Sequence, residues 1–193
     1  MELNGYRVIL ASRSPRRREL LGRICEEFEV ESLDVDETLP RDMHPRDGVR
    51  LLAVRKGEPI AKAAPEAIVI SSDTLVELGG EPLGKPTSEE DAFSMLRRLS
   101  GRAHNVHTGV AVHFHSRAYS GVDSTAVRFR DLTDAEILDY VKGGEPMDKA
   151  GAYGIQGEGG KFVLGYDGEF DTVMGLSVKL TEELIAKALE DEQ

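Results

Sequence analysis

Apolar and polar positions alternate along the chain in a way that predicts a mixture of strands and helices. Residues Arg7 to Ala11 (RVILA) form a short apolar run of the kind found in a buried strand. Ser14-Pro15 then opens a helix, since serine is a good N-cap and proline suits the first helical position. Leu20, Leu21 and Ile24 supply its apolar face. Phe28 to Leu33 alternates and predicts a second strand, and the polar, proline-bearing stretch Asp34 to Pro45 predicts a loop. From about Arg46, Val49, Leu52, Ala53 and Lys56 fall at helical spacing. Gly57 and Pro59 follow, and the missing proline N–H predicts a break near Gly57 with a short restart to Ala64.

Ala67 to Ile70 is the next expected strand, ending in Ser71-Ser72-Asp73-Thr74. Val76 to Leu78, Gly79-Gly80 and Glu81 to Leu83 have the form of a small hairpin. Ser88 to Leu99 is the clearest helix, with Ala92, Phe93, Leu96 and Leu99 in its buried stripe, Thr87 and Glu90 at capping-box spacing, and Gly101 placed to end it. Asn105 to His115 alternates strictly, and Ser120 to Phe129 reads as its antiparallel partner. Thr133 and Glu136 form a second capping box, for a helix reaching about Val141 that Gly143-Gly144 ends. The stretch Asp148 to Gly160 is glycine-rich and predicts a long functional loop. Phe162 to Leu164 and Asp171 to Met174 are expected as short strands, and Thr181 to Leu189 as a last amphipathic helix. No internal repeat interrupts this order. Strands mixed with helices, one strand pair being antiparallel, predict an α/β fold with a mixed sheet and flanking helices.

Composition narrows the classes. The 193 residues suit one domain or two closely packed lobes. Hydrophobic and charged fractions of 40% and 31% are those of an ordinary globular protein. No stretch approaches ~18 consecutive apolar residues, so no membrane span is expected. The opening MELNGYRVILAS lacks a basic region followed by a long apolar one and reads as a strand, not a signal peptide. Cys25 is the sole cysteine, which excludes an intrachain disulfide and points to a reducing cytoplasm. A formal charge of −11, from 24 basic and 35 acidic residues, opposes binding to a nucleic-acid backbone. It leaves room for a small polyanion at a local basic cluster, and Arg13, Arg16, Arg17 and Arg18 make one.

Four segments carry candidate chemistry. Ser12-Arg13-Ser14-Pro15-Arg16-Arg17 sits where a strand turns into a helix, and helix N-termini with serine and guanidinium donors suit phosphate oxygens. The competing reading is an N-cap serine with solvated arginines. Ser72-Asp73-Thr74 follows an apolar run, and a carboxylate at the carboxyl end of a strand can hold a metal ion or take a proton from water. The same residues could simply end a strand and begin a turn. In Gly84-Lys85-Pro86 the lysine could neutralise a phosphate or lie exposed in a turn, and Lys56 offers the same pair of readings. The run Glu145 to Gly157 combines glycines, which permit close backbone approach, with Gln156, whose amide can read a base edge. His107, His113 and His115 share a strand face, but no cysteine or further ligand stands near them to complete a zinc site. Cys25 has no visible base partner and reads as a structural cysteine.

Together these segments resemble the Maf family of nucleoside triphosphate pyrophosphatases. The likeness runs in order through ILASRSPRRRELL, VDET, SDTLV, LGKP, TGVAV, GEPMDKAGAYGIQG and VMGLSV. It implies one Maf-like domain over residues 1–193, similar to the ITPase fold, with a twisted mixed sheet in two lobes around a central cleft, often as a homodimer. It implies cleavage to monophosphate and pyrophosphate with magnesium or manganese. By position, Asp73 matches the catalytic aspartate and presumed proton acceptor, and Glu37 the acid placed with it near the metal. Ser12, Arg16 and Arg17 match the triphosphate-binding opening, and Lys56 and Lys85 the lysines that face the phosphates. Arg16, Thr74 and Gln156 occupy the positions that separate members acting on dTTP and UTP from those preferring 7-methyl-GTP, and here they match the former. Three departures stand out: Gly57 and Pro59 interrupt a usually alanine-rich helix, Ser71 replaces glycine before Ser72, and Thr172 and Ser177 replace asparagine and proline. A different class of function, a nucleotide-binding regulator of cell division without catalysis, could use the same basic residues. The pairing of Glu37 with Asp73 favours an enzyme.

Overall fold

The computed structural model describes residue 3, residues 5–40 and residues 42–192. Seven strands and six helices follow one another as β1 (Val8–Ala11), α1 (Pro15–Leu21), β2 (Glu29–Glu31), α2 (Pro45–Ala63), β3 (Ile68–Leu78), β4 (Glu81–Leu83), α3 (Glu89–Leu99), β5 (Ala103–Phe114), β6 (Arg117–Phe129), α4 (Asp134–Lys142), β7 (Val163–Asp167), α5 (Phe170–Met174) and α6 (Val178–Glu190) among the described residues. The strands hydrogen-bond in the order β2-β1-β3-β5-β6-β7, with β4 paired to β3. The fold is the expected mixed α/β class. The chain divides into two compact units, Met1–Asp73 with Thr108–Asp123 and Gly175–Gln193, and Thr74–His107 with Ser124–Met174.

In the first unit β1 lies between β2 and β3 and runs parallel to both, with Leu10 opposite Val30 on one side and Ile70 on the other. All four of its residues are buried, as a strand covered on both faces requires. Ser14 caps α1 by accepting from the Arg17 N–H, with Pro15 at the first helical position, and Leu20 and Leu21 are fully buried. The expected second strand shrinks to three exposed residues.

The expected break in α2 does not occur: the helix runs unbroken for 19 residues with Pro59 inside it. A proline in a helix interior costs about 3 kcal/mol. Val49, Leu52 and Ile60 are buried on the two sides of the interruption, and each contributes roughly 2 kcal/mol. Burial wins over local propensity. Gly57 has a tertiary reason as well. A Cβ there would lie 2.6 Å from the His113 ring and 2.6 Å from Ser71 Oγ, so the helix approaches the sheet only because that atom is missing.

β3 is also longer than expected. It continues through Ser71-Ser72-Asp73-Thr74 to Leu78, so Asp73 sits in mid-strand and not at a strand end. The serines interrupt the apolar pattern, yet both are fully buried, and their hydroxyls donate to Ala53 O (2.6 Å) and Gly175 O (2.8 Å). Satisfied hydroxyls let a polar run remain in the sheet.

In the second unit β3 turns through Gly79-Gly80, both at positive φ, into β4 as expected. Val76, Leu78, Leu96, Leu99, Phe129 and Phe162 share the core. The Thr133–Glu136 capping box forms. The α3 cap shifts by one residue: Ser88 accepts from the Asp91 N–H, while Thr87 donates to the Asp91 carboxylate. The glycine-rich stretch is built from three short 3-10 turns, Glu145–Asp148, Ala150–Ala152 and Glu158–Phe162. Asp171 to Met174, expected as a strand, lie in the short helix α5. Five residues are too few for a period of 2 to be told from one of 3.6. No helix among the described residues is long and apolar enough to cross a membrane.

Replacing Gly57 by alanine tests the reading of α2. Helix propensity alone favours alanine by about 1 kcal/mol. Crowding against Ser71 and His113 reverses the sign, and urea unfolding of Gly57→Ala is expected to show a net loss of about 1–3 kcal/mol. A gain in stability would contradict the packing described.

Candidate active site

Asp73 is only 8% exposed in the middle of β3. A carboxylate so placed needs a partner, and α2 supplies one, with Lys56 Nζ 2.5 Å from Asp73 Oδ1. The same ammonium lies 3.1 Å from Glu37 Oε1. Two carboxylates against one ammonium leave one net negative charge at this point. Removing one partner from such a pair typically costs about 3–5 kcal/mol.

Glu37 is exposed and lies in a segment without regular structure, so its position depends on the chain around it. Arg55, the residue before Lys56, donates from Nη1 to Thr38 O (2.7 Å) and Asp36 O (3.4 Å). The Thr38 N–H in turn donates to Asp36 Oδ1 at 2.9 Å. One turn of α2 thus holds the Glu37 backbone with Arg55 and its carboxylate with Lys56.

The opening turn is fixed by three serines and a glycine. Ser12 Oγ accepts from the Ser14 N–H (3.2 Å) and from Arg17 Nη1 (3.4 Å). Arg17 Nε donates to Gly175 O at 2.8 Å, the carbonyl that also accepts from Ser72. Gly175 has φ +116°, a conformation that favours glycine. Burial lowers the pKa of the Arg17 guanidinium, opposed by nearby Asp73, while Arg16 lowers it further and Glu37 raises it. Arg16, Arg17, Glu37 and Asp73 therefore share one electrostatic neighbourhood. Arg13 turns away from it to bind Asp34 (2.5 Å) and Ser32 (3.3 Å).

Thr74, Lys85 and Gln156 belong to the second unit. Thr74 follows Asp73 directly on β3 and is half-buried, whereas Lys85 and Gln156 are exposed. The Gly151 N–H donates to Gly84 O (3.0 Å), which brings the Lys85 turn and the glycine-rich stretch together. That stretch is organised by Glu145, whose carboxylate accepts from Tyr140 Oη (2.8 Å), the Glu158 N–H (2.9 Å) and the Gly159 N–H (3.3 Å). Desolvation acts to raise the Glu145 pKa, but these donors outweigh it and the net shift is downward.

The three histidines have different surroundings. His107 bonds Glu77 (2.9 Å) and Ser124 (2.7 Å), His113 packs at Gly57, and His115 lies in the turn after β5 with φ +46°. Cys25 is buried, and burial pushes its thiol pKa up, which disfavours a thiolate. Among the described residues no three His, Cys, Asp or Glu side chains gather in a metal-binding group. The two acids meeting at Lys56 instead suit a hard cation whose remaining ligands are water and phosphate oxygens, as is usual for magnesium.

Sequence reasoning did not single out Arg55, Ser72, Gly175 or Glu145 for individual roles. Ser72 and Gly175 stood inside quoted motifs, and only the structure shows that one carbonyl joins them to Arg17. Arg55 carried no signal beyond its place beside Lys56.

A mixed α/β chain with acids meeting an ammonium beside an arginine-bearing helix start has the form of a protein that handles a phosphorylated ligand. Residues 7–188 match the family model described as Maf-like protein, and the chain belongs to that family. It is 45% identical to a dTTP/UTP pyrophosphatase of Bacillus velezensis, over 91% of this chain and 93% of that one. A dTTP/UTP pyrophosphatase of Moorella thermoacetica is 47% identical over 93% of this chain and 94% of its own. The solved Staphylococcus aureus Ham1 protein superposes with a TM-score of 0.56, covering 97% of this chain and 100% of its own at 19% identity, and shares the fold.

Arg55 gives the site its most local test. In Arg55→Ala the Thr38 amide, which donates to Asp36, should exchange with deuterium at least ~10-fold faster, by loss of about 1.4 kcal/mol of local protection. Arg55→Lys should recover part of it. Unchanged exchange would show that the segment does not depend on the clamp.

Proposed function

We propose that this chain is a nucleoside triphosphate pyrophosphatase that hydrolyses dTTP and UTP to the monophosphate and pyrophosphate. The observation that carries the reading is the meeting of Glu37 and Asp73 at Lys56, beside Arg16 and Arg17. The relatives at 45% and 47% identity, named dTTP/UTP pyrophosphatases, support the choice of reaction and substrates.

The chemistry follows from charge. Arg16, Arg17, Lys56 and Lys85 neutralise the triphosphate, the guanidiniums as planar forks and the ammoniums as point charges. Ser12 and the first turn of α1 orient phosphate oxygens. Asp73 orients a water molecule and takes its proton as the water oxygen bonds to the α-phosphorus. The bond from that phosphorus to the α–β bridging oxygen breaks, and pyrophosphate leaves. The arginines act on rate to the extent that they hold the transition-state charge more tightly than the ground state. Glu37 and Asp73 are the residues that would hold Mg²⁺ or Mn²⁺, which when bound neutralises phosphate oxygens and polarises the reacting phosphoryl group. Arg16, Thr74 and Gln156 select the pyrimidine base. Activity on modified pyrimidine nucleotides would keep them out of nucleic acids. The enzyme works in the cytoplasm as a homodimer, the former in keeping with its single cysteine and the latter with the family resemblance.

Hydrolysis of dTTP in ¹⁸O-labelled water tests both the bond and the residue. The label is expected on the monophosphate, and label in a diphosphate or in orthophosphate would place the attack elsewhere. In the same assay Asp73→Asn should lower kcat roughly 10²–10⁴-fold while nucleotide binding and fold survive. Full activity in Asp73→Asn would remove that residue from its role, and no pyrophosphate release from any nucleotide would leave a non-catalytic regulator.

A further inference from the structure

The position of Lys56 carries a consequence for cation binding. Its ammonium contacts Asp73 Oδ1 at 2.5 Å and Glu37 Oε1 at 3.1 Å, the oxygens of the two acids that suit a divalent ion. A lysine ammonium and a divalent ion cannot share these oxygens without strong mutual repulsion at short range. Asp73 Oδ1 and Glu37 Oε1 can serve one or the other. The helix beneath Lys56 is held against the sheet at Gly57, whereas the ammonium ends a four-carbon stem of rotatable bonds, so it can move without its backbone.

We propose that Lys56 is a tethered cation that occupies the two-carboxylate position in the nucleotide-free protein and gives it up when a divalent ion enters. The exchange rests on the hydrolase reading for the destination of the ammonium, the incoming phosphate groups, but not for the competition itself. It explains how an acid buried in a strand keeps a compensating charge before substrate arrives. It also couples the two ligands. A nucleotide that draws Lys56 onto its phosphates frees the carboxylates for the ion, and by linkage the ion strengthens nucleotide binding by the same factor. Lys56 thereby has two successive partners, and its first contact restrains metal loading in the absence of substrate.

The competition predicts an unusual sign: removing a cation-facing lysine should tighten metal binding. Mn²⁺ affinity of the nucleotide-free protein, measured from the free-ion electron paramagnetic resonance signal, is expected to rise at least ~10-fold in Lys56→Gln. Lys62→Gln, which removes a lysine paired with Glu58 on the same helix, should leave it unchanged. The gain should vanish when Glu37→Gln is added, which assigns it to this position. In wild-type protein, amine labelling followed by mass spectrometry gives a second readout that needs no variant to fold: Mn²⁺ should increase modification of Lys56 and leave Lys62 unaffected. An affinity in Lys56→Gln within twofold of wild type, an equal gain in Lys62→Gln, or Lys56 labelling unmoved by Mn²⁺ overturns the exchange. Since neither readout involves turnover, a protein that labels its monophosphate with ¹⁸O yet fails them loses only this inference.

Discussion

A carboxylate in the middle of a buried strand is the constraint from which the rest of the site follows. Asp73 is tolerable inside β3 because Lys56 reaches it, and Lys56 reaches it because α2 continues past Arg55 without a break. That continuity depends in turn on Gly57, whose missing Cβ lets the helix lie against Ser71 and His113. The ion pair is therefore the visible end of a packing arrangement. A change at Gly57, which carries no functional group, would act on the chemistry through the backbone that carries Lys56.

The same economy appears at the opening turn. One carbonyl, that of Gly175, accepts from both Arg17 and Ser72. Ser72 precedes Asp73 on β3, so the strand that carries the acid also fixes the loop that aims a guanidinium. Arg55 does the corresponding work for Glu37, and Glu145 does it for the glycine-rich stretch of the second unit. In each case a charged or polar side chain with no assigned chemistry holds irregular backbone by hydrogen bonds. Irregular segments lack a ladder of their own, and side-chain bonds to backbone groups are how they become ordered.

Much of this was legible in the sequence where local rules and tertiary packing agree. The Ser14-Pro15 helix start, the Thr133–Glu136 capping box and the Gly79-Gly80 hairpin each depend on a few neighbouring residues, and each forms. The α/β class followed from periodicity alone. The two failures around the ion pair share a cause. Gly57 and Pro59 read as a helix break, and Ser71 to Thr74 as a strand end, because both readings weigh local preference without knowing what lies opposite. Burial of Val49, Leu52 and Ile60 overrules the first, and acceptors at Ala53 and Gly175 overrule the second. Residue chemistry alone singled out the Ser12 to Arg17 turn, Lys56 and Asp73 as candidates and the family resemblance added Glu37, and all of these fall in one unit. Spacing could not have shown that a single lysine stands between two acids more than thirty residues apart in sequence, since no local pattern encodes that distance.

The most direct test is a crystal structure grown with Mn²⁺ and a dTTP analogue whose α–β bridging oxygen is replaced by an imido group. The expected result is an anomalous peak in contact with the carboxylates of Glu37 and Asp73, an α-phosphorus facing Asp73, and a Lys56 ammonium that has left the acids for phosphate oxygens. A triphosphate bound with its α-phosphorus remote from Asp73, or a metal ion held by other side chains while Lys56 still joins Glu37 to Asp73, would contradict it.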